Sequence, residues 1–553
     1  MQLHDSRRLT GPNLMAPWPL AVMEVGFADG EDAEAAILAW RREVTRLVAD
    51  DRIVIRRFRG GAALGVRAPI DELLVTTDVN EWALERANLI LAGQDPGSEE
   101  PGCGVLAAAL AAAHNPSLRA LEASARERDL PLLADDTEVT IGLGTRSRTW
   151  PIEALPATAD VPWNELGRIP TAFITGTNGK TTCARMLARV LERAGRVCGL
   201  ASSGGIVVHD ALVDAGDWTG PAAARMILRR QDVEVAVLET ARGGILRRGL
   251  ALDRCDAALI TNVSEDHFGD YGIFDLPTMA TVKAVVGRAA MGKLVLGAAC
   301  DALMGVADGF SAQIILFAID GLHPRLVAAR AERREVWFVD GGWLTRAVGD
   351  VETRLVEVAQ IPVTFGGLAG FNIENALGVA AMASALGVAD ADIVAGLLAF
   401  QPSLADNPGR GNLITVAGIR VLLDFAHNPE GLRAAMSLVE TLRADGRLLV
   451  VFSQPGDRTD EAIRSATHAV LAARPDRLLV HDMPGYLRGR QLGESTSLVA
   501  TAANALGAVT THPDEPSAVA AALGEAQVGD LVVVVPHLEV DAVAALLSGL
   551  SGS

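Results

Sequence analysis

Aromatic side chains are scarce in this 553-residue chain, at 4% with only two tyrosines. That removes most of the platforms on which single-stranded nucleic acid stacks. Positive charge is also short. Lys and Arg number 49 against 68 Asp and Glu, for a formal net charge of -19. Nonspecific nucleic-acid binding needs cations to neutralise phosphates, so a nucleic-acid partner is not expected. Cysteine is sparse: Cys103, Cys183, Cys198, Cys255 and Cys300 are scattered, and no Cys-x-x-Cys pair occurs. This predicts reduced thiols in a cytoplasm, with neither a disulfide framework nor a thiolate metal centre. No uninterrupted apolar run reaches the ~20 residues of a membrane span. Met1 to Thr10 is too polar for the apolar core of a secretory leader, so a cytoplasmic protein with no membrane partner is expected.

What is present is ample core material. Half of the residues are hydrophobic, and the length predicts about three or four domains. Residues 1–155 read as a small α+β domain. Its expected elements are a strand over Leu20–Val25, a helix over Asp32–Ala49, a strand at Ile53–Ile55 and a helix over Asn80–Leu91. Arg56, Arg57, Arg59 and Arg67 surround Gly60-Gly61. They read either as a solvated strand edge or as a docking patch for an anionic substrate. Residues 156–170, with three prolines, read as a linker. From 171 to 410 short apolar strands alternate with helices, the pattern of a parallel sheet covered on both faces. Antiparallel hairpin material is expected near Val336–Val339 and Leu355–Val363. A second α/β unit follows over 411–553.

The most informative stretch is Thr175-Gly176-Thr177-Asn178-Gly179-Lys180-Thr181-Thr182. A strand-like run precedes it and an amphipathic helix pattern follows. Gly176 and Gly179 allow a turn whose N–H groups point inward. The helix start adds partial positive charge. Lys180 can reach terminal phosphates and Thr181 can place a hydroxyl on Mg²⁺. The common P-loop has a further glycine where Ile174 stands, so this is a shorter phosphate loop. The 411–553 unit carries no second Lys-Thr loop.

Three more groups lie where parallel strands end, or just after. Glu239, past the Val233–Leu238 run, suits Mg²⁺, which takes oxygen ligands; by itself it is equally an exposed strand-end carboxylate. His267, in Thr261-Asn262-Val263-Ser264-Glu265-Asp266-His267, can ligate a metal or pair with phosphate. Lys283 falls on the following helix, where a lone lysine is ordinarily a surface residue.

Together these motifs resemble the Mur ligase superfamily, and within it most closely the Mur-like part of the cyanophycin synthetases. The likeness rests on Thr175–Thr182, Glu239–Leu250, Thr261–His267, Asp217–Pro221, Asn372–Asn375, Gly409-Arg410, Asp424–Pro429 and Gly456-Asp457-Arg458. It covers about residues 169–547, and Arg8–Asn13 also looks like the start of those synthetases. The resemblance implies a central P-loop ATPase domain, a C-terminal α/β Mur ligase domain, and ATP with Mg²⁺ as cofactors. It implies nucleotide contacts from Gly176, Thr177, Asn178, Gly179, Lys180, Thr181 and Thr182. Asn372 and Asn375 would lie near adenine, Asp424 at the ribose and Arg410 at the transferring phosphate. Metal ligands would be Thr181, Glu239, His267 and Lys283, the last as a carbamate. Arg242, His427 and Asn428 would face substrate. The implied reaction joins an amino acid or amine to a carboxylate or short peptide acceptor through an acyl phosphate, releasing ADP and phosphate. A homo-oligomer is compatible with this.

Two departures stand out. The synthetases carry an ATP-grasp domain between their N-terminal and Mur-like parts, whereas here a short linker joins the two. Leu296-Gly297-Ala298-Ala299-Cys300-Asp301 replaces the family's Leu-Asn-Ala-Asp-Asp. Two other readings stay in play: a P-loop kinase or NTPase acting on another acceptor, and a non-catalytic partner that binds nucleotide or polymer.

Overall fold

The computed structural model describes residues 1–97, 102–266, 268–537 and 540–551. The chain begins as a four-stranded antiparallel sheet of Gln2–Leu9, Leu20–Gly26, Gly61–Arg67 and Ile53–Phe58, in that order. The helices Ala33–Val44 and Leu73–Leu91 bury Trp40, Val79 and Ala83 against Met23, Val25 and Leu64. Asn80 ties helix to sheet: it accepts from Trp40 Nε1 at 2.9 Å and donates to the carbonyl of Leu64 at 3.1 Å. The second helix begins at Leu73 rather than Asn80. The β-branched Thr76 and Thr77 do not exclude a helix there, because their hydroxyls bond back to the carbonyls of Glu72 and Leu73. Asp32 caps the first helix, which ends at Val44.

A three-stranded sheet of Leu132–Ala134, Glu138–Ile141 and Arg148–Pro151 follows. Segment 156–170 has one short 3₁₀ turn, but Val161, Leu166 and Ile169 are buried, so it is packed down.

The large sheet has eleven strands. Its middle is parallel: Cys198–Ser202, Val235–Glu239, Thr171–Thr175, Cys255–Ile260, Ala290–Gly297, Gln313–Asp320 and Glu335–Asp340, in spatial order. Antiparallel hairpin strands extend it at both edges: Gly205–Val208 and Ala211–Asp214 on one side, Trp343–Val348 and Val351–Glu357 on the other. Helices Lys180–Arg193 and Gly370–Ala385 pack on one face. Pro221–Leu228 and Leu276–Ala289 pack on the other.

The last sheet has six strands, in the order Arg410–Val416, Ile419–Asp424, Leu531–Val534, Leu448–Phe452, Arg477–His481, Val509–His512. Only its first pair is antiparallel. Arg410 is thus the first residue of this sheet. No helix among the described residues is long and apolar enough to cross a membrane.

Candidate active site

The Thr171–Thr175 strand lies between Val235–Glu239 and Cys255–Ile260, so three strand ends converge on one crevice. In an open parallel sheet that edge is where ligands bind. A cleft of about 940 Å³ opens there and continues to the C-terminal sheet. Gly176 has φ 153°, and a Cβ there would lie 1.8 Å from Thr261 Oγ1. Gly179, at φ 82°, caps the Lys180–Arg193 helix, and a Cβ there would lie 2.2 Å from Asn375 Oδ1. Both positions require glycine. With no capping side chain at Gly179, the first N–H groups of the helix stay available to an anion.

Around the loop the side chains are tightly set. Asn178 N donates to Asn262 Oδ1 at 2.8 Å, and Thr261 Oγ1 donates to the Asn178 carbonyl at 2.6 Å. Lys180 Nζ donates to the Thr177 carbonyl at 2.8 Å. Burial lowers its pKa, against the pull of Glu239 and Asp266. Thr181 Oγ1 donates to Glu239 Oε1 at 3.1 Å and lies 2.8 Å from Ser203 Oγ. Ser203 N donates to Glu239 Oε2 at 3.1 Å, and Arg410 Nη2 donates to Ser203 Oγ at 3.3 Å. Two hydroxyls and a carboxylate therefore share one corner, a donor set that fits a hard divalent cation such as Mg²⁺. The glycine cradle and Lys180 fit a polyphosphate beside it. Thr182 Oγ1 accepts from Asn407 Nδ2 at 3.3 Å.

Lys283 is no surface lysine. It is 3% exposed, and its Nζ donates to the Gly176 carbonyl at 2.7 Å. Burial, followed by the charge of Lys180, holds its pKa well below the usual value. His267 lies outside the described residues.

The third sheet supplies the opposite wall. Asp424 faces the cleft from the end of its strand, and burial raises its carboxyl to about 6 despite Arg410. Phe425 stacks under the Arg410 guanidinium, 5.1 Å from the ring centroid. Asn428 and Asn178 exchange amide hydrogen bonds of 2.8 and 3.3 Å. Arg458 Nη1 donates to Asp266 Oδ1 at 2.9 Å, with His427 Nε2 3.7 Å from the other oxygen. Arg242 Nη2 donates to Asp270 Oδ2 at 2.9 Å. Asn372 and Asn375 border the cleft, but Asn372 Nδ2 is committed to the Val363 carbonyl at 2.8 Å and Asn375 Nδ2 to Asn372 Oδ1 at 3.0 Å. Of the expected site residues that are described, all but Asn428 line the cleft itself.

Sequence reasoning missed Ser203, Asn262 and Asn407 as members of this site. Ser203 had a signal: it stands in Ser202-Ser203-Gly204-Gly205, just past a strand neighbouring that of Glu239. Of the N-terminal arginines, Arg57, Arg59 and Arg67 are exposed, in keeping with a solvated edge, and Arg56 is not. Arg57 pairs with Glu34 at 2.6 Å, Arg67 lies over Trp18, and Arg56 is turned inward toward Glu24 and Tyr271.

Comparison with known proteins agrees with this layout. The Mur ligase middle domain matches residues 174–383, and the glutamate ligase domain of Mur ligases matches 409–538. Cyanophycin synthetase of Geminocystis herdmanii is 35% identical over 417 residues, covering 72% of this chain and 47% of the relative. A UDP-N-acetylmuramoyl-L-alanyl-D-glutamate--2,6-diaminopimelate ligase of Alkalilimnicola ehrlichii is 30% identical over 335 residues, covering 59% and 64%. The chain thus spans about half the length of the cyanophycin synthetases it matches. Among solved structures, E. coli FolC in complex with DHPP and ADP shares the fold, with TM-score 0.53 at 18% identity over 69% of this chain and 89% of that one. The two family matches cover the strands, loops and helices that build the cleft, and the chain belongs to the Mur ligase superfamily.

Proposed function

We propose that this chain is an ATP-dependent carbon–nitrogen ligase that joins an amino acid or amine to a carboxylate or short peptide acceptor. The observation that carries the reading is the shared corner of Thr181, Ser203, Glu239 and Arg410 beside a glycine cradle and Lys180. ATP and Mg²⁺, when bound, would supply the phosphoryl group and countercharge that make a carboxylate an acylating agent. Thr181 and Glu239 would hold the metal, with His267 and Lys283. Lys180 and Arg410 would neutralise charge on phosphoryl oxygens. His427 and Asn428 would face the amine, and Asn372, Asn375 and Asp424 the nucleoside. The wall carrying Arg458 and Asn428 would exclude water from the activated acyl group.

The same proposal divides the chain into units at 1–155, 156–170, 171–410 and 411–553, each sheet standing in one unit except for Arg410 at the last boundary. It also includes a carbamate on Lys283. The uncharged amine is the nucleophile that attacks the carbon of CO₂ and releases a proton as the carbamate forms, and burial favours the uncharged form. Incorporation of isotopically labelled bicarbonate into Lys283 tests this, and a lysine with no label would remove it.

The ligase reading is tested by ADP release in a matrix of carboxylates and amines. Release that requires one of each supports it. Release that requires only an acceptor, with no amide formed, selects the kinase alternative. No turnover with any pair, alongside intact nucleotide binding, selects the non-catalytic partner. One such site selects well for one amine, so a single kind of amide bond is expected. With aspartate, arginine and a short aspartate–arginine primer, repeated addition of both amino acids would overturn that expectation.

A further inference from the structure

The loop joining the Cys255–Ile260 strand to the Leu276–Ala289 helix presents Asp266 and Asp270 to the cleft, and its far side rests on the N-terminal sheet. Tyr271 is the point of support. Its φ of 54° is one that a bulky side chain adopts only when its surroundings hold it. Arg56 Nη2 donates to its carbonyl at 2.5 Å, and Arg247 Nε donates to its phenolic oxygen at 2.9 Å. The Arg7 guanidinium lies over its ring, 4.6 Å from the centroid. Gly272 follows at φ 65°, packed so closely on Phe58 that a Cβ there would fall 2.3 Å from the Phe58 ring.

The same group reaches the facing wall of the cleft. Arg7 Nε donates to the Leu246 carbonyl at 2.9 Å, within the Arg242–Arg248 helix. Thr10 N donates to the Arg248 carbonyl at 2.7 Å, and Leu250 N to the Pro12 carbonyl at 2.8 Å. Arg7 and Arg56 share Glu24, at 3.5 and 3.7 Å. One largely buried cluster of the first sheet thus fixes both the helix that begins with Arg242 and the loop that carries Asp270, its partner across the cleft. Buried ion pairs contribute little net stability, so what such a cluster supplies is position.

We propose that Arg56, with Arg7 and Phe58, is a positioning group for the active-site loop segment 268–275. The N-terminal sheet acts as a brace that sets the distance between two cleft walls. The meaning given to that cleft rests on the ligase reading above. The test is hydrogen–deuterium exchange of the full chain in wild type, Arg56→Ala, Arg56→Lys and Gly272→Ala. The last variant attacks the contact from the loop side and leaves the first sheet's own residues intact.

Peptides covering 268–275 are expected to exchange about tenfold faster in Arg56→Ala and Gly272→Ala, with the Lys180–Arg193 helix unchanged. Arg56→Lys should restore most of the protection. Binding of AMPPNP with and without Mg²⁺ supplies the second readout. The gain in affinity from Mg²⁺ should shrink about tenfold in both loosened variants, while metal-free affinity stays the same. Unchanged exchange at 268–275 in both variants would overturn the proposal, as would an equal rise throughout the first sheet. If wild type shows no Mg²⁺-dependent AMPPNP binding, the ligase reading fails, and the exchange comparison still decides the brace.

Discussion

Two strand–loop–helix turns face each other across the cleft, and they differ at the start of the helix. In the central sheet the Thr171–Thr175 strand runs through Gly176–Gly179 into a helix from Lys180. In the last sheet the Ile419–Asp424 strand runs through Phe425–Asn428 into a helix from Pro429. The first helix is capped by a glycine that has no side chain to offer. The second is capped by Asn428, whose Oδ1 accepts from Gly431 N at 2.9 Å, and proline removes another donor. One helix end is therefore open to an anion and the other is already satisfied. The same architecture leaves backbone donors free in one place and satisfies or removes them in the other, through the capping residue and the proline that follows it.

The strongest way to break this comparison is at the open end. Lys180→Ala leaves the cradle glycines and the helix in place but removes the cation that the proposed function sets against phosphate. Turnover should fall by about a thousandfold or more, roughly 4 kcal/mol of transition-state stabilisation. Circular dichroism should stay unchanged. Steady-state ADP release checks it, and near-normal rates in a folded variant would take the loop out of the chemistry.

The second effect is a pH dependence at the closed end. Burial raises the Asp424 carboxyl from 3.8 to about 6. Between those values the folded chain binds more protons than the unfolded one. Its contribution to stability is complete below the unfolded value and is lost as pH rises through about 6. Asp424→Asn should therefore gain stability relative to wild type between about pH 3.5 and pH 7, by up to about 3 kcal/mol. Denaturant unfolding at both pH values measures this, and a constant difference would contradict it.

Third, Arg458→Gln breaks the 2.9 Å pair with Asp266 that joins the two walls. The expected result is about tenfold lower kcat, some 1.4 kcal/mol, at unchanged KM for ATP. A larger KM with intact kcat would assign Arg458 to nucleotide binding instead.

How much of this could be read beforehand follows from how local each signal is. The Thr175–Thr182 stretch carries its turn glycines, lysine and helix start in eight consecutive residues, so pattern alone places it. Glu239 needed only the rule that parallel strands end at the crevice. Ser203 is one serine in a polar turn, and nothing within its own stretch says that Glu239 lies beside it. Arg56 misled for the same reason: arginines around a Gly-Gly turn look solvated until the loop bearing Tyr271 arrives from 215 residues away. Most of the large sheet's parallel middle was legible from its apolar runs, whereas Cys198–Ser202 and the short Gly205–Val208 and Ala211–Asp214 edge strands were not foreseen, and Glu335–Asp340, expected as hairpin material, also pairs in parallel with Gln313–Asp320. Lys283 shows the limit of composition as a guide, because helix lysines are normally exposed and this one is buried under the phosphate loop.

The smallest effect concerns the cap itself. Asn428 does two things: Oδ1 satisfies Gly431 N, and Nδ2 donates to Asn178 Oδ1 at 2.8 Å across the cleft. Asn428→Ala loses both, and a lost Asn cap alone costs about 1 kcal/mol. Asn428→Ser keeps a capping oxygen but is too short to reach Asn178. If the cap is what separates the two helix ends, the serine variant should recover most of the lost stability. The alanine variant should stay about 1 kcal/mol below wild type in denaturant unfolding. If instead the bridge to Asn178 dominates, serine and alanine will be equally destabilised. In that case the closed helix end owes its stability to the facing loop rather than to its own first turn.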